Sequence, residues 1–176
     1  VMALGGLGVA LGLAIYMVLV AGLLWRILRR AVTFEPLSGF GLAALAALAG
    51  ALALGLALIV DDDHGFLHDR AGVITLHFVA AGFGFMGMLA LGFSHILVPL
   101  FALSEGVPVG ESRTVFTLAL CGLLAALAGI FLGSPLLAAA GALSGLLGVA
   151  LHLRGMTHCL ATAMRRKLGV SVLLIR

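Results

Sequence analysis

Long apolar stretches with almost no charge constrain this chain more than any other feature. The 176 residues are 63% hydrophobic and only 10% charged, whereas a soluble domain has about 25% charged residues. A membrane-spanning helix needs about 20 such apolar residues. The sequence therefore predicts an all-α, polytopic transmembrane helix bundle forming one domain over residues 1–176. Its five predicted spans cover about residues 3–25, 39–60, 72–102, 114–132 and 135–153.

The basic residues lie at the ends of alternate predicted spans. With five alternating spans, only Arg70 falls on the opposite side, beside four aspartates. Because basic loops stay in the cytoplasm, we expect an outer N-terminus, a cytoplasmic C-terminus and location in the inner membrane. Basic residues placed this way are topology signals and give no indication of nucleic-acid binding. The basic residues on the predicted cytoplasmic side are Arg26, Arg29, Arg30, Arg113, Arg154, Arg165, Arg166 and Lys167.

The C-terminal region predicts contact with lipid headgroups. Residues 156–169 combine apolar residues at i, i+4 spacing with a basic cluster, a pattern typical of a short interfacial helix. His158 and Cys159 fall in this predicted tail and are assigned no ligand role. The chain begins at Val1 and ends in an apolar run over 170–176, which predicts that it is part of a longer protein. We expect membrane lipids and further membrane helices or subunits as its partners.

Two histidines stand in the third predicted span. His77 and His95 are separated by eighteen residues, which is five turns of an α-helix, so both imidazoles should point the same way. At 1.5 Å per residue they are about 27 Å apart, close to the thickness of the hydrocarbon layer. Ionisable side chains are costly to bury in lipid and mark functional sites by default.

The fifth predicted span supplies a third histidine, His152. Gly141, Gly145 and Gly148 share its helix face, which would let a flat ring approach the backbone. His95 and His152 fall at the same predicted depth, and imidazoles from facing helices commonly hold haem iron. We therefore predict that His77, His95 and His152 bind haem, with His95 and His152 as a bis-histidine pair.

The same residues can also be explained without a cofactor. Glycine stripes such as Gly141-x-x-x-Gly145 are the ordinary device for close helix packing in membranes. A single histidine near a span end is commonly an interfacial residue. The alternative to a haem protein is therefore a structural or assembly subunit that packs on partner helices through its Gly/Ala faces.

The acidic loop between the second and third predicted spans contains His64 and His68. Their i, i+4 spacing would place both on one helical face, where nearby carboxylates could complete a copper or zinc site. The loop could equally be a solvated, highly charged connection. The second ligand beside His77 could be His64, His68 or a residue on another chain or segment.

Several classes of protein lack support in this sequence. No acidic or basic residue falls clearly inside a predicted span, although proton-coupled transporters generally need one. Phosphate-binding loops, Ser-His-Asp arrangements and zinc-protease motifs are also missing.

Residues 77–99 have a histidine, a glycine-rich middle, a second histidine and then Ile-Leu-Val-Pro. This stretch resembles helices of the NnrS family and of the related haem-bearing subunit I of heme-copper oxidases, and residues 164–171 resemble the basic turn before a further span in such proteins. The resemblance implies a haem b protein in electron transfer or the handling of nitric oxide or oxygen, with His77 as a ligand. The chain lacks the His-Pro-Glu pattern and the three copper-binding histidines, and its single tyrosine is Tyr16. We therefore do not expect gas reduction by this chain alone, and whether it is an enzyme stays open.

Overall fold

A computed structural model describes residues 2–30 and 36–163, and within these ranges it contains helices and no strands. The predicted all-α class is confirmed for this part of the chain. A π-helical segment interrupts the third long helix. The elements are α1 (Met2–Arg30), α2 (Pro36–His64), α3 (Arg70–Val79), the π segment (Ala80–Gly87), α4 (Met88–Ala102), α5 (Val109–Phe131) and α6 (Pro135–Ala161).

Four of the described helices are long and apolar enough to cross a membrane. This architecture is compatible with a multi-pass membrane protein. Within α1, the apolar stretch that qualifies among the described residues is the shorter Leu11–Gly22. The four candidate spans are Ser38–Asp62, Arg70–Ala102, Val109–Phe131 and Pro135–Ala161.

The helix Arg70–Ala102, which corresponds to the third span predicted from the sequence, is continuous over 33 residues, but it is not a uniform α-helix. Eight residues, Ala80–Gly87, form a π-helix, in which each turn holds more residues because hydrogen bonds run from i to i+5. The prediction that eighteen residues equal five turns therefore does not apply between His77 and His95. The helix ends at Ala102, followed by Leu103 in the left-handed conformation.

Local capping fixes the connection between α2 and α3 and the hairpin between α5 and α6. The Asp69 carboxylate accepts a hydrogen bond from the Gly72 amide at the start of α3. In the hairpin, Gly133 has φ of +62° and the Ser134 hydroxyl accepts from the Leu137 amide, so α6 begins at Pro135. These are ordinary start signals for a helix.

Helix α6 continues to Ala161, past the predicted span end at residue 153. Its C-terminal turns are held against the protein, because Met156 and Cys159 are buried. Helix α6 therefore contains both the fifth predicted span and the first residues of the predicted interfacial tail, without a break between them. Residues 164–169 of that tail, and the resemblance over 164–171, lie outside the described residues.

The closest helix packing is between α5 and α6. A Cβ atom on Gly122 would lie 2.6 Å from the backbone nitrogen of Gly145, and one on Gly141 would meet the backbone of Ala126. The glycine stripe of α6 thus faces α5, as the packing interpretation of Gly141 and Gly145 predicts. The buried core cluster lies between α2, α4 and α5 and comprises Phe40, Ala44, Met88, Leu91, Val115 and Ala119.

Candidate metal centre

The structure brings His95 of α4 and His152 of α6 together inside the bundle. Their ring centroids are 4.8 Å apart and the rings are tilted by 51°. On its other side, His95 stacks against Phe40 of α2 with a centroid distance of 5.7 Å. His152 is only 7% exposed, so its imidazole lies in a low-dielectric environment, whereas His95 is half-buried.

Hydrogen bonds fix which nitrogen of each ring carries the proton. His95 Nδ1–H donates to the Leu91 carbonyl oxygen at 2.6 Å. Ser94 Oγ–H donates to the same carbonyl and therefore accepts the bond from His152 Nε2–H, at 2.9 Å. With both protons placed, the free lone pairs are on His95 Nε2 and His152 Nδ1.

Both of these lone-pair nitrogens are buried and have no hydrogen-bond partner among the described residues. Leaving a buried polar atom unsatisfied costs about 1–3 kcal/mol, so each such atom in a folded protein requires an explanation. A metal-binding histidine has this arrangement: one nitrogen donates to a neighbouring oxygen, which leaves the other free to coordinate. The pair can therefore supply two oriented imidazole ligands.

The packed pair does not fit the predicted sandwich around haem. A metal–imidazole bond is about 2 Å long, so two axial imidazoles on opposite faces of one porphyrin hold their centroids roughly 6 Å apart. The observed separation is 4.8 Å, which leaves no space for a macrocycle between the rings. A bare ion, which two imidazoles can approach from the same side, does not require this separation.

His77 lies apart from this pair. Its Nδ1–H donates to the carbonyl oxygen of Ala51 on α2 at 2.9 Å. A Cβ on Gly55 would lie 3.2 Å from its Cε1 atom, so the small residue admits the ring against α2. Because its proton is on Nδ1, its Nε2 atom carries the lone pair.

His64 and His68 do not share the predicted helical face. Helix α2 ends at His64, Gly65 adopts φ of +61°, and His64 Nδ1–H donates back to the Val60 carbonyl. The buried Asp61 carboxylate accepts from Arg70 and from the Leu67 amide, so it closes the connection between helices. Both histidines are exposed, as in the solvated-loop alternative.

Over residues 2–30 and 36–163, no three His, Cys, Asp or Glu side chains converge as a metal site. The His95–His152 pair thus offers two protein ligands. Two contributors to its surroundings were not anticipated from the sequence: the Leu91 carbonyl and the Phe40 ring. A backbone carbonyl carries no sequence signal, whereas Phe40 could have been suspected as the aromatic residue near the start of the second span.

Comparison with protein families, curated proteins and solved structures finds no match to this chain.

Proposed function

We propose that this chain is an integral membrane protein that holds a metal centre through His95 and His152, for electron transfer or for handling a diatomic gas. One observation carries the proposal: two adjacent imidazoles each have a buried, unpartnered nitrogen, while their other nitrogens donate to oxygen atoms. Imidazole suits Zn, Cu, Fe and Ni. Of these, copper and iron would serve electron transfer.

Haem b is proposed only at His77, where a single imidazole would serve as axial ligand. The Nδ1–H bond to Ala51 orients this ring with Nε2 free, as is usual for a metal-binding histidine. The resemblance of residues 77–99 to haem-bearing helices adds to this proposal. When bound, such a haem would supply reversible one-electron chemistry or a binding site for a diatomic gas.

The second candidate is a cofactor-free structural or assembly subunit. It is favoured by the backbone contact between Gly122 and Gly145, which explains the glycines by packing alone. Large apolar side chains are exposed on the outside of this hairpin, Phe131 at 78% and Leu136 at 83%. These side chains would meet lipid or the helices of other subunits.

The proposed topology is five spans, with the N-terminus outside, the C-terminus in the cytoplasm, and the chain in the inner membrane. It is supported by the separation of charge between the two ends of the bundle. Arg154 lines a cavity beside the start of α5, the helix whose first turns contain Arg113. Arg70, at the other end, pairs with Asp61 and Asp62. The basic end would face the cytoplasm.

The purified full chain tests the metal proposal by elemental analysis and a visible absorption spectrum. The variants are His95→Ala, His152→Ala and His77→Ala, with Met86→Ala as control because Met86 is 62% exposed on the third span. We expect one non-haem metal ion per chain in the native protein and the control, and none in His95→Ala or His152→Ala. Absorption bands of haem that disappear in His77→Ala would support haem at that residue.

Other outcomes decide against the proposal. A colourless protein without metal would favour the structural subunit, provided that it is folded. Metal that persists in His95→Ala and His152→Ala but disappears in His64→Ala and His68→Ala would move the site to the outer loop, where copper or zinc remains a prediction.

A further inference from the structure

A cavity of about 600 Å³ lies at the end of the bundle where α5 begins and α6 ends. This volume is within the usual range of ligand pockets in proteins. Its lining includes Glu111 from the first turn of α5, together with Arg154 and His158 from the end of α6. The groove between α2, α3 and α5, by contrast, is lined only by Ala, Gly, Leu and Phe. The cavity at the end of the bundle is therefore the one suited to a charged ligand.

Arg154 and Glu111 line the same cavity without forming an ion pair. In the described part of the chain, the ion pairs all involve Arg70, at the other end of the bundle. A Cβ on Gly155 would lie 3.1 Å from Glu111 Oε1, so this carboxylate lies against the backbone of α6, beside the residue that follows Arg154. A positive and a negative group thus face one cavity, and each is available to a charge of opposite sign on a ligand.

The side chains on α6 match a phosphate group. Arg154 and His158 are four residues apart, so they are neighbours on one face of the helix. A guanidinium group binds two phosphate oxygens through parallel N–H···O bonds, and an imidazole N–H can donate to a further oxygen. The Glu111 carboxylate, in turn, can accept hydrogen bonds from an ammonium group. The lining therefore fits a ligand that carries a phosphate and an ammonium group together.

The position of the cavity indicates that this ligand is a lipid. Helices α5 and α6 are both candidate spans, and a cavity between their ends lies at the level of the lipid headgroups when they cross a bilayer. Leu146 and Leu153 are on the same face of α6 as Thr157 of the cavity, and they are 64% and 58% exposed. These leucines provide an apolar path for acyl chains next to the cavity. Basic pockets between transmembrane helices bind lipid headgroups in the same way.

We propose that this cavity binds the headgroup of a phospholipid with a primary ammonium group, phosphatidylethanolamine. Arg154 and His158 bind its phosphate, and Glu111 accepts a hydrogen bond from its ammonium group. This site goes beyond the general headgroup contact predicted for residues 156–169, because it distinguishes one headgroup from another. It does not depend on the proposed metal centre, since neither histidine of that pair lines the cavity.

The test measures lipid binding to the purified, delipidated full chain in detergent micelles by native mass spectrometry. The probes are phosphatidylethanolamine, phosphatidylcholine and phosphatidylglycerol with identical acyl chains. Phosphatidylcholine is the critical comparison, because its methylated nitrogen keeps the positive charge but has no N–H donor. Phosphatidylglycerol keeps the phosphate and has no cationic group.

We expect the native chain to bind phosphatidylethanolamine about tenfold more tightly than phosphatidylcholine, the difference implied by one charge-assisted hydrogen bond. Glu111→Gln should lose most of this preference, because its amide carries no charge. Arg154→Gln should bind all three lipids about tenfold more weakly, because the phosphate is common to them. Arg154→Lys keeps the charge without the paired donors, so its affinities should lie between those of Arg154→Gln and the native chain.

Glu105→Gln and Arg113→Gln are the matched controls. Both residues are exposed at the same end of the bundle, and neither lines the cavity. We expect the native affinities and the native preference in both variants. Losses as large as those in Glu111→Gln and Arg154→Gln would show that headgroups respond only to the overall charge of this end, which would overturn the inference.

Two results with the native chain would also decide against it. Equal affinity for phosphatidylethanolamine and phosphatidylcholine, or tighter binding of phosphatidylglycerol, would contradict the role given to Glu111. Displacement of the bound lipid by an equal concentration of free O-phosphoethanolamine would show that the cavity takes a soluble ligand. Thermal unfolding of each variant without lipid separates a folding defect from a lost contact, and Arg154→Lys serves if Arg154→Gln does not fold.

Discussion

At the scale of single residues, one carbonyl oxygen organises the candidate metal centre. Leu91 O accepts from both His95 and Ser94, and Ser94 in turn accepts from His152. The sequence could indicate His95, His152 and Ser94, because each is a polar residue in an apolar span. It could not indicate Leu91, because its contribution is a backbone carbonyl oxygen, which carries no sequence signal.

The serine gives a direct test of this arrangement. Ser94→Ala removes the acceptor of the His152 Nε2–H bond, so the ring can rotate or carry its proton on the other nitrogen. Loss of such an outer partner typically lowers metal affinity about 10–100-fold. We expect a decrease of this size in the affinity for Zn²⁺, measured by competition with a chelator of known affinity, with little change in unfolding temperature.

Ser144→Ala is the matched control for that measurement. Ser144 also donates to a backbone carbonyl inside the bundle, that of Leu118, but it has no bond to either histidine of the pair. The sequence makes Ser144 as plausible a support as Ser94, and only the packing distinguishes them. Equal affinity losses in the two variants would show that the Ser94 effect is a general loss of packing.

At the scale of helices, the apolar pattern predicts that a helix exists, and its approximate length, better than it predicts which residues share a helix face. The predicted second span, 39–60, corresponds to α2 at Pro36–His64, and the fourth, 114–132, to α5 at Val109–Phe131. Which residues share a helix face is less predictable in the third predicted span. Its Gly- and Phe-rich middle has the sequence pattern of an apolar α-helix, but it forms the π segment. His77 and His95 bond to carbonyls of different helices, those of Ala51 on α2 and Leu91 on α4.

The contact between α5 and α6 should be the most sensitive to added volume. Gly122→Ala would place a Cβ 2.6 Å from Gly145 N and 2.9 Å from Gly141 O. These are backbone atoms, so the helices must separate, and overpacking of this kind costs about 1–3 kcal/mol. We expect a lower unfolding temperature in detergent micelles for Gly122→Ala.

Gly50→Ala provides the comparison for that substitution. Its Cβ would meet nothing within 4 Å, so the improved helix propensity of alanine, up to about 1 kcal/mol, should leave stability unchanged or higher. If the two alanine variants unfold at the same temperature, the close approach of α5 and α6 does not contribute to stability as described.

At the scale of the whole molecule, hydropathy predicts a membrane bundle, but it does not specify which helices are neighbours. Because α4 packs against α6, His95 lies beside His152. The matched depth of the two residues in the sequence-based topology made this contact plausible, but it did not specify the distance between their rings. A separation of 4.8 Å rather than roughly 6 Å favours an ion over a porphyrin between these two rings. Such a difference arises from the packing of side chains, including Phe40, and is beyond any argument from spacing.

Topology is the prediction on which the placement of the whole site depends. In a background with both cysteines replaced by serine, Phe66→Cys in the outer connection should react with a membrane-impermeant thiol reagent added to intact spheroplasts. Glu105→Cys, at the opposite end of the bundle, should react only after the membrane is opened. If α1 spans the membrane, a small reporter fused to the N-terminus is accessible from the same side as Phe66→Cys. A reporter on the side of Glu105→Cys would instead leave four spans, and labelling of Glu105→Cys from outside would reverse the proposed orientation.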